Sequence, residues 1–150
     1  MAEVAALSMP RLEYQTAKGT ETLKIDSLRN TMLVYFHSDC KYCKYELGLL
    51  NDNLREFTNT RLTLLTPEAN FFGQKKIQPW SNLMASPGVS WGIVDGSELK
   101  EKFGAKGFPT TFIFDHSGVL VAKVFGEAKL EKLVSELKKI LVFRNAGLAA

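Results

Sequence analysis

The sequence is poor in the residues that most often declare chemistry: 150 residues hold two cysteines, two histidines and two tryptophans. Two cysteines cannot staple a disulfide-dense mini-protein, and alone they cannot close a structural zinc site. No apolar run reaches the roughly 18 to 20 residues that span a bilayer, and the N-terminus shows no basic segment followed by an apolar one. Charge of one sign is lacking as well. The 19 Lys and Arg against 16 Asp and Glu leave a net +3, too small and too dispersed for a nucleic-acid surface. Lys75-Lys76 and Lys138-Lys139 read as solvated helix faces. There is no internal repeat, low-complexity segment or linker. With 45% hydrophobic residues, the chain is sized for one globular domain. Its core is expected over about residues 12 to 142, between flexible ends, with Arg144 to Ala150 as a frayed tail.

What the sequence does have is a spacing. In Cys40-Lys41-Tyr42-Cys43 the sulfurs lie three residues apart, so a helix beginning at Cys40 puts both on its first turn, where they can pair. The flanks supply that helix. Residues 31 to 37 form an apolar, β-rich run suited to a strand buried on both faces. Leu47, Leu50, Leu54 and Phe57 recur at helical spacing, so residues 40 to 58 read as an amphipathic helix. Arg61 to Thr66 is the next strand. Strand, helix and strand with short joints predict a right-handed βαβ unit that delivers the cysteines to the carboxyl edge of a parallel sheet.

Further along, residues 67 to 92 are the least periodic, with Pro79 and Pro87 as interruptions and room for one short helix around Trp80, Leu83 and Met84. Trp91 to Asp95 reads as a strand, and Asp95 with Glu98 as a capping box for a helix over Ser97 to Phe103. Gly104 to Gly107 is a loop by composition. Thr110 to Asp115 and Val119 to Phe125 flank His116-Ser117-Gly118 as an antiparallel hairpin. Glu127 to Val142 closes the chain with a helix whose apolar face carries Leu130, Leu133, Val134, Leu137, Ile140 and Leu141.

A C-x-x-C at a strand-to-helix junction, followed by Gly107-Phe108-Pro109-Thr110-Thr111-Phe112, resembles the thioredoxin superfamily. Within it, Cys40-Lys41-Tyr42-Cys43-Lys44-Tyr45-Glu46 together with the Pro-Thr-Thr-Phe segment is similar to the TlpA- and ResA-like extracytoplasmic thiol–disulfide proteins. The likeness runs from about Leu12 to about Leu141, with an insertion-like stretch before Asp95. It implies an α/β three-layer fold with a central mixed sheet flanked by helices. It also implies disulfide exchange without cofactor or metal, and a cis-proline at Pro109 facing the thiols. The chain departs from the pattern in having Asp39 where the family usually has Trp, and Lys41-Tyr42 where a proline is frequent. Val34 stands where thioredoxin itself has a buried Asp, which leaves Glu46 as the substitute proton handler.

On these grounds Cys40, Cys43 and Glu46 are the expected catalytic residues, and Lys41, Tyr42, Phe108, Pro109 and Thr110 the expected substrate contacts. A helix N-terminus favours the thiolate that attacks disulfides, which makes Cys40 the nucleophile and Cys43 the resolving thiol. Asp39 and Glu46 oppose an extreme thiolate, and Lys41 and Lys44 only partly offset them, so a reductant is expected. The resemblance further implies protein disulfide substrates, an upstream thiol electron donor that can be membrane-bound, a monomer, and a periplasmic or otherwise extracytoplasmic location, membrane-anchored where the full-length protein carries an anchor. Two other readings stay open. A thiol peroxidase usually carries Pro-x-x-x-Thr/Ser-x-x-Cys, where this chain has Leu33 and His37. A non-enzymatic metal carrier would use both cysteines with His37 or His116. His37, ending a strand, otherwise reads as a hydrogen-bonded structural residue and His116 as part of a turn. Trp80, Trp91 and Phe103 read as core aromatics.

Overall fold

A computed structural model describes residues 8–74 and 79–149, with side chains to residue 140. The run around Met32 forms β3 (Asn30–Tyr35), buried along its whole length. Its side chains alternate between two apolar layers, as a strand's period of two requires. Met32, Val34 and Phe36 face one cluster with Leu47, Leu50 and Leu133, while Leu33 and Tyr35 face the other with Leu12, Leu99 and Phe103. The helix after β3 is α1 (Lys41–Asp52), shorter than the 40 to 58 its periodicity predicts. Asn53 ends it by donating its side-chain amide to the Leu49 carbonyl (2.8 Å) and its N–H to the Leu50 carbonyl (3.2 Å). A separate 3-10 turn, Leu54–Phe57, then presents Phe57 to the core.

β4 (Thr60–Thr66) lies parallel to β3 with partners thirty positions apart, Asn30 with Thr60 through Tyr35 with Leu65. After it come a 3-10 turn, Phe72–Gln74, and a short helix α2 (Ser81–Ala85). The side chain of α2's N-cap residue makes no capping bond, so Asn51 of α1 supplies one, accepting from the N–H groups of Asn82 (2.9 Å) and Leu83 (3.0 Å). β5 (Val89–Ile93) pairs parallel with β4. It sits two residues earlier than its apolar run suggests, because Asp95 is committed to capping α3 (Gly96–Glu98) by accepting the Ser97 N–H (2.9 Å). The other half of the expected capping box does not form; Glu98 turns instead to Lys102 at 2.8 Å. A π-helical turn, Leu99–Phe103, follows and stops at Gly104, whose φ of 72° is left-handed.

β6 (Thr110–Phe114) and β7 (Leu120–Phe125) form the antiparallel hairpin, with β6 also antiparallel to β3. An N-terminal hairpin of β1 (Glu13–Thr16) and β2 (Gly19–Thr22) has no counterpart in the periodicity reading. It is short and mostly exposed, so no buried face marks it in the sequence. Among the described residues, all seven strands make one mixed sheet in the order β2-β1-β5-β4-β3-β6-β7. The last helix, α4 (Leu130–Ala149), starts later than Glu127 and continues through the stretch expected to be a frayed tail. Lys138 and Lys139 are exposed on it, while the doublet Lys75-Lys76 lies outside the described residues.

Candidate active site

The β3 strand ends in a turn, His37 to Asp39, that hands the chain to α1. Cys40 is the N-cap of that helix, with extended backbone (φ −79°, ψ 123°). Its N–H donates to the His37 carbonyl (3.1 Å), and its Sγ accepts the Cys43 N–H (3.3 Å). The thiol of Cys40 points at the Phe108 carbonyl, 3.7 Å away. Both cysteines are free thiols, but their settings differ: Cys40 is partly exposed, whereas Cys43 is 1% exposed. Burial pushes the Cys43 thiol up, Cys40 and Glu46 add to this, and a backbone hydrogen bond from His37 opposes it.

Glu46, one turn beyond Cys43, is completely buried. Its carboxylate accepts from Thr111 Oγ1 on β6 (2.5 Å) and from the Ala128 N–H ahead of α4 (2.8 Å), so it ties α1 to two distant elements. Burial raises its pKa, and the two hydrogen bonds only partly counter this. On the outer side, Lys41, Tyr42 and Tyr45 are exposed, with Lys41 Nζ 5.9 Å from the centre of the Tyr45 ring.

The second arm of the site is the 106 to 110 loop. The Phe108–Pro109 peptide bond is cis, and Pro109 is buried with its carbonyl accepting the Gly126 N–H (2.8 Å). Phe108 packs its ring on Tyr35 (4.8 Å between centroids) and His37 (5.7 Å). Thr110 is buried too, and its hydroxyl donates to the Lys106 and Gly107 carbonyls (3.1 and 3.0 Å). Its side chain thus braces the loop, while Phe108 is the loop residue aligned with the thiols.

One charged residue at the site has no signal in local periodicity. Glu68, in the loop after β4, accepts from Ser38 N–H (2.9 Å), Ser38 Oγ (2.5 Å) and Thr66 Oγ1 (2.7 Å), and lies 3.8 Å from His37 Nδ1. It comes from the aperiodic stretch, and only the thirty-residue offset of the β3–β4 register, carried past the strand ends, puts 68 beside 38. His37, Asp39 and Glu68 also hold ligand-type atoms within 4.8 Å of one another. Among the described residues this is the one such grouping, and it includes neither cysteine, unlike the carrier arrangement considered from sequence. His37 Nδ1 already accepts the Asp39 N–H at 3.2 Å.

The profile of a thioredoxin-like domain matches residues 17–141. The chain belongs to the thioredoxin-like family. No curated protein resembles the sequence closely enough to count as a match. Among solved structures, this thioredoxin-like chain superposes on a thiol:disulfide interchange protein DsbE from Chlorobium tepidum with a TM-score of 0.68 at 17% identity, covering 89% of this chain and 95% of that one. StoA from Bacillus subtilis gives 0.65 at 17% identity, covering 87% and 98%. A peroxiredoxin-like protein from Aquifex aeolicus gives 0.70 at 13% identity, covering 89% and 85%. Identities this low establish a shared fold and nothing finer.

Proposed function

We propose that this protein is a thiol–disulfide oxidoreductase that reduces disulfides in protein substrates through Cys40 and Cys43. The observation that carries this reading is the asymmetry of the thiols, one capping a helix at the surface and the other buried one turn deeper. The Cys40 thiolate attacks one sulfur of a substrate disulfide; that S–S bond breaks, the other substrate sulfur leaves as a thiolate, and a mixed disulfide forms. Cys43 then gives up its proton and attacks Cys40 Sγ. This releases the second substrate sulfur and leaves a Cys40–Cys43 disulfide. Two electrons have passed to the substrate, and an upstream thiol donor, oxidised to a disulfide in turn, returns them. Because burial holds the Cys43 proton tightly, the resolving step needs a base, and Glu46 behind it is the group for that role.

Lys41, Tyr42 and Phe108 border Cys40 and would meet the substrate first, with Pro109 and Thr110 shaping the loop opposite. The interchange protein among the fold neighbours supports the exchange reading, and the C-x-x-C-x-x-E resemblance supports an extracytoplasmic setting for a monomer acting on other proteins. No helix among the described residues is long and apolar enough to cross a membrane. A peroxidase finds less support: Leu33, at one of its signature positions, is buried in the core. Insulin reduction tests the reading. Cys40→Ser should abolish it, while Cys43→Ser should retain attack and accumulate mixed disulfides on non-reducing gels. Trapping through Cys43 in the Cys40→Ser protein would reverse the roles, and reduction surviving both substitutions would remove the function.

A further inference from the structure

We propose that Glu68 is a positioning residue for the thiol pair, clamping the His37–Ser38 peptide and through it the place where Cys40 and the first turn of α1 sit. The inference rests on the oxidoreductase reading for its purpose, but its geometry is independent of it.

The backbone ladder between β3 and β4 runs out just before the thiols. Phe36 N–H still donates to the Leu65 carbonyl (2.9 Å), but the Thr66 carbonyl is taken by Val94 N–H (2.9 Å) and Pro67 has no N–H to offer. Where main-chain pairing stops, the Glu68 side chain takes over with the same thirty-residue offset. Its side chain is 10% exposed, and its partners Ser38 and Thr66 are 4% and 0% exposed. Burial pushes its carboxyl up, but the hydrogen bonds from Ser38 and Thr66 and the neighbouring His37 outweigh this and hold it below the ordinary carboxylate range.

The Ser38 N–H that Glu68 accepts belongs to the same planar peptide as the His37 carbonyl, and that carbonyl accepts the Cys40 N–H at 3.1 Å. In a planar trans peptide the N–H and C=O point in opposite directions, so fixing one end fixes the other. A charged acceptor on the N–H also polarises the carbonyl and strengthens its bond to Cys40. A second route runs through the His37 ring, which packs on Phe108, whose carbonyl faces Cys40 Sγ.

Positioning and bare charge predict opposite results. A carboxylate near a thiolate disfavours it, so a Glu68 that acted by charge alone would leave Cys40 more reactive when neutralised. Positioning predicts that Glu68→Ala in the full chain slows iodoacetamide alkylation of Cys40 at pH 7 at least about fivefold, mapped by mass spectrometry. Glu68→Gln, whose carbonyl oxygen can still accept from Ser38 and Thr66, should return the rate to within about twofold of wild type. Faster or unchanged alkylation in both variants would overturn the proposal, as would a folded Glu68→Gln protein as slow as Glu68→Ala. Amide hydrogen exchange on the unaltered chain needs no variant to fold: Ser38 and Cys40 should be protected together, and free exchange at either would overturn the clamp. Because alkylation reads Cys40 directly, a chain inactive on protein disulfides would remove the proposed function and leave this result standing.

Discussion

At the scale of single residues, Glu46 links stability and chemistry with opposite signs. Its carboxyl is raised above the ordinary range, so the folded protein keeps that proton to a higher pH than the unfolded chain does. The corresponding stability is fully present below the unfolded carboxylate pKa and is lost as pH rises through the raised value. Glu46→Gln can accept from Ala128 and donate to Thr111, whose hydroxyl rotates to suit. Urea unfolding should therefore find it close to wild type near about pH 4 and more stable near about pH 8, by about 1 kcal/mol or more. The same substitution removes the base we propose behind Cys43, so resolution of the mixed disulfide should slow at least about tenfold in stopped-flow traces. A stability difference from wild type that is the same at both pH values would contradict the raised carboxyl, and a variant that resolves at the wild-type rate would return Glu46 to a purely structural role. The motif resemblance pointed to Glu46, but only the fold shows its two oxygens bound to β6 and to the entry of α4.

At the scale of elements, the N-terminal hairpin is the weakest join in the sheet. β1 meets β5 through the single register pair Gln15 and Ile93, and what seats it is Tyr14 lying over Gly92. A Cβ at Gly92 would run into the Tyr14 ring and press on Leu65 at 3.0 Å. Gly92→Ala should cost about 1 to 3 kcal/mol in chemical denaturation, with β1 and β2 losing hydrogen-exchange protection first. Uniform loss of protection across all seven strands would instead mean that the hairpin is as tightly coupled as the centre. None of this shows in the sequence, where Gly92 is one glycine inside an apolar run. The central elements read more easily. β3 and α1 carry their own periodicities, and the error at α1 was one of length, because Asn53 ends the helix by hydrogen bonds that an apolar spacing does not encode.

For the whole molecule, the direction of electron flow depends on the charge gathered around the dithiol. Asp39 and Glu46 come from the turn and helix that carry the cysteines and Glu68 from the loop after β4, while Lys41 and Lys44 are exposed and offset them weakly. On that balance a reductant is the expected outcome. An equilibrium against glutathione should give a potential nearer to the about −270 mV of reducing thioredoxins than to the about −120 mV of strong oxidants. A value above about −180 mV would overturn the charge argument. The sequence by itself determined what short-range pattern can carry: the C-x-x-C turn, the buried central strand, the closing hairpin and helix. Those features are set by neighbours within one or two turns of chain, and such neighbours are visible as spacing. The seating of the β1–β2 hairpin on β5, the Tyr14–Gly92 contact and the Glu68 clamp were decided by the tertiary structure alone. Each depends on which distant segments the sheet lays side by side, and a parallel register that places residue 68 next to residue 38 leaves no periodic trace in either.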